Sequence, residues 1–229
     1  MDFISFLYYY VYSIIRKDHG KMSQPKRSYE KFLLNMPKTK KGQETLNRIC
    51  DSARKLFYER GYFKTSINDI TSGASVGAGT FYIYFAGKLD LFKYLLAYYG
   101  SFTRHKCRIA AEGCTSRVDA EREGLRCWLN MCAKDKSIYS IISESLHIDK
   151  SLYYDYYSTF AKAYIRNINS AKLKGEVIDI NSEVLSYILI GITNIIGNNM
   201  ENFETVHDID TIVDEIMKLL EHGMFTKTN

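Results

Sequence analysis

Proline is nearly missing from this chain: of 229 residues two are prolines, Pro25 and Pro37, and none follows Lys38. Proline removes a backbone donor and breaks helices, so its absence leaves the rest of the chain free to form long ones. Short strand-like runs bounded by turn clusters are also rare, which turns the reading away from β structure. The five cysteines, Cys50, Cys107, Cys114, Cys127 and Cys132, contain no C-x-x-C pair, and their odd number excludes a complete disulfide framework. A reducing cytoplasm fits them best. His105, Cys107 and Cys114 lack the paired close spacing of a metal site, so buried or surface thiols are the plainer reading, and no metal or cofactor is expected. The histidines His19, His105, His147, His207 and His222 are scattered. His147 and Asp149, at an expected helix end, read as solvated rather than catalytic, so no catalytic constellation is expected and the chain is not read as an enzyme.

A membrane span is also wanting. The first fifteen residues, MDFISFLYYYVYSII, are apolar and aromatic, but a helix crossing a bilayer needs about 20 such residues. A secretory signal carries positive charge ahead of its apolar run, whereas here Asp2 precedes and Arg16-Lys17 follows. Three readings stay open: an interfacial anchor, an extra packing helix, or translated upstream sequence with Met22 as the working start, the last being favoured. The first supports an alternative function, a membrane-associated helical adaptor held by residues 1–15.

What the chain does have is charge unevenly placed. Residues 1–100 carry 16 Lys/Arg against 8 Asp/Glu, and residues 101–229 carry 15 against 18, so a net +5 divides into +8 and −3. A nucleic-acid or acidic surface is thereby expected to meet the first part. Residues 1–42 read as a basic, flexible extension with lysines at 38, 40 and 41. From Gln43, Leu46, Ile49, Cys50, Ala53 and Phe57 recur at helical spacing, and Gly61 closes that helix. Thr65 or Ser66 then caps a short helix with apolar face Ile67, Ile70 and Ala74. A turn at Ser75-Val76-Gly77 follows, then a second short helix from Ala78 to Tyr84. Helix, turn and helix fit the length of a DNA-reading motif, with Val76, Phe81 and Phe85 as packing residues. The glycines from Gly73 to Gly79 do not form a phosphate loop, because no Gly-Lys-Ser/Thr follows and no strand precedes.

The order Ile70-x-x-Gly73-Ala74-x-Val76-x-x-Gly79-Thr80-Phe81-Tyr82-x-Tyr84-Phe85-x-x-Lys88 resembles the signature of the TetR family of transcriptional regulators, over Gln43 to about Phe102. Two positions depart from it: Ser75 stands where the family usually has Gly, and Gly77 where Ser or Thr is common. The resemblance implies that Ala78–Tyr84 is a recognition helix entering the major groove. Tyr82, Tyr84, Lys88, Thr65, Ser66 and Lys41 are then expected at phosphates, and Ala78, Thr80 and Tyr82 near bases. No Arg, Lys, Asn or Gln lies on this helix, so an A/T-rich site read largely by shape is expected.

Beyond Lys88 the glycine and polar breaks predict helices over 88–111, 117–133, 137–147, 151–174, 181–198 and 208–222. Residues 184–196 are apolar nearly all round, and Ile209, Ile212, Val213, Ile216, Leu219 and Leu220 form one stripe of the last helix. The resemblance places a homodimer interface there, with Ile188, Ile192, Ile195, Ile212, Ile216 and Leu219 as candidates. It also implies an effector pocket, for which Phe102, Trp128, Tyr139, Tyr153 and Tyr157 are candidates. The expectation is thus an all-α chain: a three-helix DNA-binding head over 43–103 and a larger helical ligand-binding and dimerisation domain over 104–229. Its function would be that of a repressor, released from a palindromic double-stranded DNA operator by a small apolar or aromatic molecule.

Overall fold

The computed structural model describes residues 29–205 and 208–224. Nine α-helices follow one another among them, with no strand: α1 Lys40–Arg60, α2 Ile67–Gly73, α3 Ala78–Tyr84, α4 Lys88–Ala110, α5 Arg117–Lys134, α6 Ser137–Ile148, α7 Lys150–Leu173, α8 Ser182–Asn199 and α9 Ile209–His222. Short 3₁₀ turns stand at Glu30–Phe32 and Met200–Asn202. The all-α expectation holds, and the helices after α3 keep to within about one residue of the spans that the polar breaks predict. The chain divides into two compact units between Tyr98 and Tyr99, inside α4. The readings made for residues 1–28, including the anchor at 1–15, lie outside the described residues.

In the first unit α1 buries Leu46, Ile49, Ala53 and Phe57 along one stripe. Its start is capped by Thr39, whose hydroxyl accepts from the Gly42 amide at 3.0 Å, and it ends at Gly61 with φ 80°, a conformation that suits glycine. The expectation of a loose arm up to residue 42 is corrected for its described part. Tyr29 packs edge-on against Tyr94 and Tyr98. The Leu34 amide donates to the Tyr84 carbonyl at 2.8 Å, and the Asn35 amide nitrogen donates to the Ile83 carbonyl at 2.7 Å. A polar, lysine-rich segment is ordered here because it satisfies the last carbonyls of α3, which have no partner within that helix.

In the second unit α7 packs against α6 and α8, and α5 against α8 and α9. Side chains cap the starts of four of these helices: Ser116 for α5, Asp149 for α7, Asn181 for α8 and Asp208 for α9. Arg126 reaches Asp210 at 2.7 Å, and Arg122 pairs with Asp214 and Glu221, so charged pairs flank the packing of α9 on α5. No helix of the described residues is long and apolar enough to cross a membrane.

Candidate nucleic-acid interface and effector cavity

A tight helix-turn-helix is built from α2 and α3. Ser66 caps α2 in a reciprocal capping box: the Asp69 amide donates to Ser66 Oγ at 3.1 Å, and the Ser66 amide donates to Asp69 Oδ2 at 2.8 Å. The Ser66 hydroxyl and amide together hold the Asp69 carboxyl below its ordinary pKa. Helix α2 lies so near α1 that Ser52 Oγ donates to the Ile70 carbonyl at 2.8 Å. A Cβ on Gly73 would run into the same Ser52 oxygen, so glycine is required there. At the far end Ser75 adopts φ 53°, its amide donates to the Ser72 carbonyl, and the Val76 amide donates to the Thr71 carbonyl, each at 3.0 Å. This is a Schellman closure with serine in the left-handed position that glycine usually takes, as the sequence departure at Ser75 anticipates.

Helix α3 turns Phe81 and Tyr84 inward, with Phe85 fully buried just beyond its end. Its outward face carries Ala78, Gly79, Tyr82 and Ile83; Tyr82 and Ile83 are each 51% exposed, and Thr80 stands half-buried on the flank. Ile70 and Ala74 are buried behind the motif, while Ile67 and Val76 are only partly covered.

Several residues expected at DNA phosphates turn out to hold the motif together. Thr65 is 1% exposed, and its hydroxyl donates to the Gly61 carbonyl at 2.8 Å, with the Leu56 carbonyl at 3.3 Å. Lys88 donates to the carbonyls of Tyr62 and Thr65, both at 2.7 Å, and lies 4.2 Å from the Tyr62 ring centroid. That ammonium fastens the loop before α2 to the start of α4. Tyr84 is buried, and its hydroxyl donates to the Gly42 carbonyl at 3.1 Å, tying the end of α3 to the first turn of α1. The phosphate roles expected of these three are therefore corrected to internal ties. Ser66 and Tyr82 stay exposed, and so does Lys41, close to the first turn of α1 that Tyr84 ties to α3. That turn has no acidic residue, so the positive end of the helix dipole stands beside Lys40 and Lys41 uncompensated from within.

The second unit holds a cavity of about 80 Å³, lined by residues of α4, α5, α7 and α8 that include Thr103, Leu125, Trp128, Tyr157, Phe160 and Ile190. Of the aromatic candidates only Trp128 and Tyr157 line it; Phe102, Tyr139 and Tyr153 do not. Trp128 is fixed by its indole N–H, which donates to the Thr193 carbonyl at 3.0 Å. Tyr164, also on the wall, donates to Glu121 at 3.0 Å. Burial pushes the Tyr156 and Tyr157 hydroxyls up from the ordinary phenol pKa, so both stay protonated near neutrality.

Comparison with known proteins joins these observations. Residues 49–95 match the family model described as bacterial regulatory proteins of the tetR family. The matched segment carries a DNA-binding head of the tetR type. A 58-residue stretch is 41% identical to the HTH-type transcriptional regulator YuxN of Bacillus subtilis (strain 168), covering 24% of this chain and 20% of that relative, so the likeness spans about a fifth of its length. The fatty acid degradation regulator FadR from Bacillus halodurans superposes with TM-score 0.70 at 19% identity, over 79% of this chain and 96% of the other. FadR from Bacillus subtilis, solved in complex with stearoyl-CoA, gives 0.66 at 16% identity, over 78% and 99%. At these identities the likeness of the two structures is one of fold.

Within this tetR-type segment, sequence reasoning overlooked Gly79 and Ile83 on the outward face of α3; plotting the helix at 100° per residue puts both beside Ala78 and Tyr82. It also overlooked Asn35, and Thr103 beside the cavity. No local pattern marks those two, since each gains its meaning from residues distant in sequence. Of the six dimer-interface candidates, Ile188, Ile195 and Leu219 are exposed and Ile192 is half-buried. Ile212 and Ile216 are buried on the face that α9 packs onto α5, which corrects their assignment to an intermolecular surface.

Proposed function

We propose that this protein is a homodimeric, ligand-responsive transcriptional regulator that works as a repressor, binding a palindromic operator and leaving it when a small apolar molecule fills the second unit. The observation that carries this reading is the outward face of α3. Ala78, Gly79, Tyr82 and Ile83 stand exposed on a helix whose other side is locked by Phe81, Tyr84 and Phe85. Exposed apolar side chains on a rigid short helix suit contact with thymine methyls, and the Tyr82 hydroxyl suits a phosphate. Lys41, Lys40 and the first turn of α1 supply further phosphate contacts. With no bidentate base-reading side chain on α3, an A/T-rich half-site chosen largely by shape follows.

Two such helices must meet successive major grooves about 34 Å apart, which requires a dimer. The surface for it is the stripe Val184, Tyr187, Ile188, Gly191 and Ile195 of α8, apolar and exposed, with Leu219 of α9 as a further exposed apolar residue. A second copy of the chain is its occupant, because a two-fold contact pairs one such stripe with itself. Binding selection from random duplexes, followed by footprinting, tests the DNA reading; a requirement for guanine contacts under α3, or no selected site at all, overturns it. Light scattering that returned a monomer of 26.5 kDa would overturn the dimer. Operation on DNA implies a cytoplasmic protein, and salt-resistant sedimentation with membranes would favour the adaptor reading instead.

The effector acts through its differential affinity for the DNA-competent and DNA-incompetent states. A FadR neighbour is known with stearoyl-CoA, yet a cavity of about 80 Å³ is far below the roughly 300–1,000 Å³ of pockets for drug-sized molecules. A long acyl chain does not fit it without an opening of the bundle. The small-molecule reading is preferred on that ground.

A further inference from the structure

Three of the five cysteines gather where α4 and α5 meet. Cys107, on α4, lines the cavity together with Gly124, Leu125 and Trp128 of α5. Cys127 stands three residues beyond Gly124 and next to Trp128, so it flanks the stripe of α5 that Cys107 faces. The Cys107 thiol donates a hydrogen bond to Cys127 Sγ. Cys132 lies one turn beyond Trp128: a Cβ placed on Gly197 would stand 3.0 Å from both Cys132 Sγ and Trp128 Nε1. All three are free thiols, and neither the packing of the helices nor the proposed reading of DNA makes use of the contact between the first two.

That contact leaves the two sulfurs unequal. The Cys107 donor first, then the charges of Lys106 and Lys134, lower the Cys127 thiol to about 7 against the opposing effects of burial and Glu123. Cys107 keeps its proton, raised by the same bond and then by burial. Burial pushes Cys132 up to about 12 and raises Cys50 as well. Cys107 and Cys127 are partly exposed, whereas Cys132 is buried. A partly exposed thiolate beside a second thiol is the arrangement in which one sulfur is oxidised and the other resolves it, while buried protonated thiols stay inert.

We infer that Cys127 and Cys107 form a peroxide-reactive pair, in which Cys127 takes an oxygen from a hydroperoxide and Cys107 resolves it to a disulfide joining α4 to α5. The Cys127 thiolate attacks the peroxide: an S–O bond forms, the O–O bond breaks, and the departing hydroxide leaves as water with the proton that Cys127 gave up. Cys107 Sγ then attacks the Cys127 sulfenic acid. The S–S bond forms, the S–O bond breaks, and the hydroxyl leaves as water with the Cys107 proton. Two electrons pass from the sulfurs to hydrogen peroxide, which ends as two waters. In a reducing compartment such a bond is transient, because thiol exchange reopens it. This chemistry does not rest on the effector reading or on the DNA reading.

Thiol titration of the reduced full-length protein should count five thiols before treatment with hydrogen peroxide and two fewer after it. The intact mass should fall by about 2 Da, the two hydrogens lost to a disulfide, and the product should remain a single chain on a non-reducing gel. Fragmentation of the linked peptides should place the bridge between Cys107 and Cys127, and dithiothreitol should restore every thiol. Cys107→Ser is expected to leave the Cys127 sulfenic acid unresolved, so that dimedone labels Cys127 alone. Cys127→Ser should slow thiol loss about tenfold or more, as fits removal of the thiolate, and Cys132→Ser should form the bridge unchanged. Melting curves establish that the variants fold, and mapping of the bridge in the unaltered protein needs no variant. Five thiols persisting in peroxide that oxidises free cysteine in the same solution, a bridge between any other cysteines or between two chains, or thiol loss as fast in Cys127→Ser overturns the inference.

Discussion

Two threonines, each 1% exposed, show how the two units differ. Thr65, in the head, gives its hydroxyl to the carbonyls of Gly61 and Leu56 at the end of α1; Thr103, in the second unit, has no partner for its hydroxyl among the described residues. The contrast extends to the cations. Lys88 in the head is held by two carbonyls and an aromatic ring, whereas Arg104 lies over Phe160 with no carboxylate paired to it among the described residues. A head that must present one helix face in a fixed pose gains from internal ties. On the proposed function, the second unit answers a small molecule, and donors left unsatisfied there carry a cost in stability.

The sharpest attempt to break this contrast is Lys88→Met. If Lys88 is an internal tie, its loss strands two carbonyls and costs about 2–3 kcal/mol in denaturant unfolding, while the salt dependence of DNA binding stays the same. A phosphate anchor would behave in the opposite way, lowering the salt slope by about 1 with little change in stability. Next comes the threonine pair. Thr65→Val is expected to destabilise by about 1–2 kcal/mol, and Thr103→Val to be neutral or to stabilise by about 1 kcal/mol, because it removes a buried hydroxyl that has nothing to bond. Similar losses in both would erase the distinction between the units.

Within the head, Tyr84→Phe should cost about 1 kcal/mol of stability through its lost bond to Gly42. Tyr82→Phe should leave melting unchanged and weaken operator binding, so a reversed pattern would return Tyr84 to the DNA surface. Ser75→Gly is expected to stabilise by about 0.5–1 kcal/mol, relieving a left-handed serine at some cost in unfolded-chain entropy. Smallest is a pH effect at Asp69. Its pKa is lowered in the folded state by the Ser66 hydroxyl first and the Ser66 amide second, so the stabilisation is whole above the ordinary carboxylate value near 4. It is lost as pH falls through the lower folded value. Asp69→Asn should flatten that acid limb of the stability curve, and an unchanged limb would show that the capping box contributes nothing there.

The helices were legible in the sequence because their causes are local. Apolar residues at three- and four-residue spacing, capping Ser, Thr, Asp and Asn, and the near-absence of proline act within a few positions of one another. The Thr80–Phe85 run with Lys88 similarly marked the motif and its family. Position along the chain could not say which polar groups of that motif face outward. Thr65, Lys88 and Tyr84 look like surface donors in sequence, and only the folded head brings to them the carbonyls of Tyr62, Gly61 and Gly42. Ile212 and Ile216 lie on an apolar stripe that suits a core and an interface equally, and the packing of α9 on α5 chose the core. The sequence by itself determined helix content, the motif and the charge division, since short-range sterics and hydrophobic periodicity control them. The tertiary structure alone decided which donors are satisfied, which apolar stripe stays open, and that Thr103 meets a cavity wall, because hydrogen-bond satisfaction and burial depend on neighbours far away in the chain.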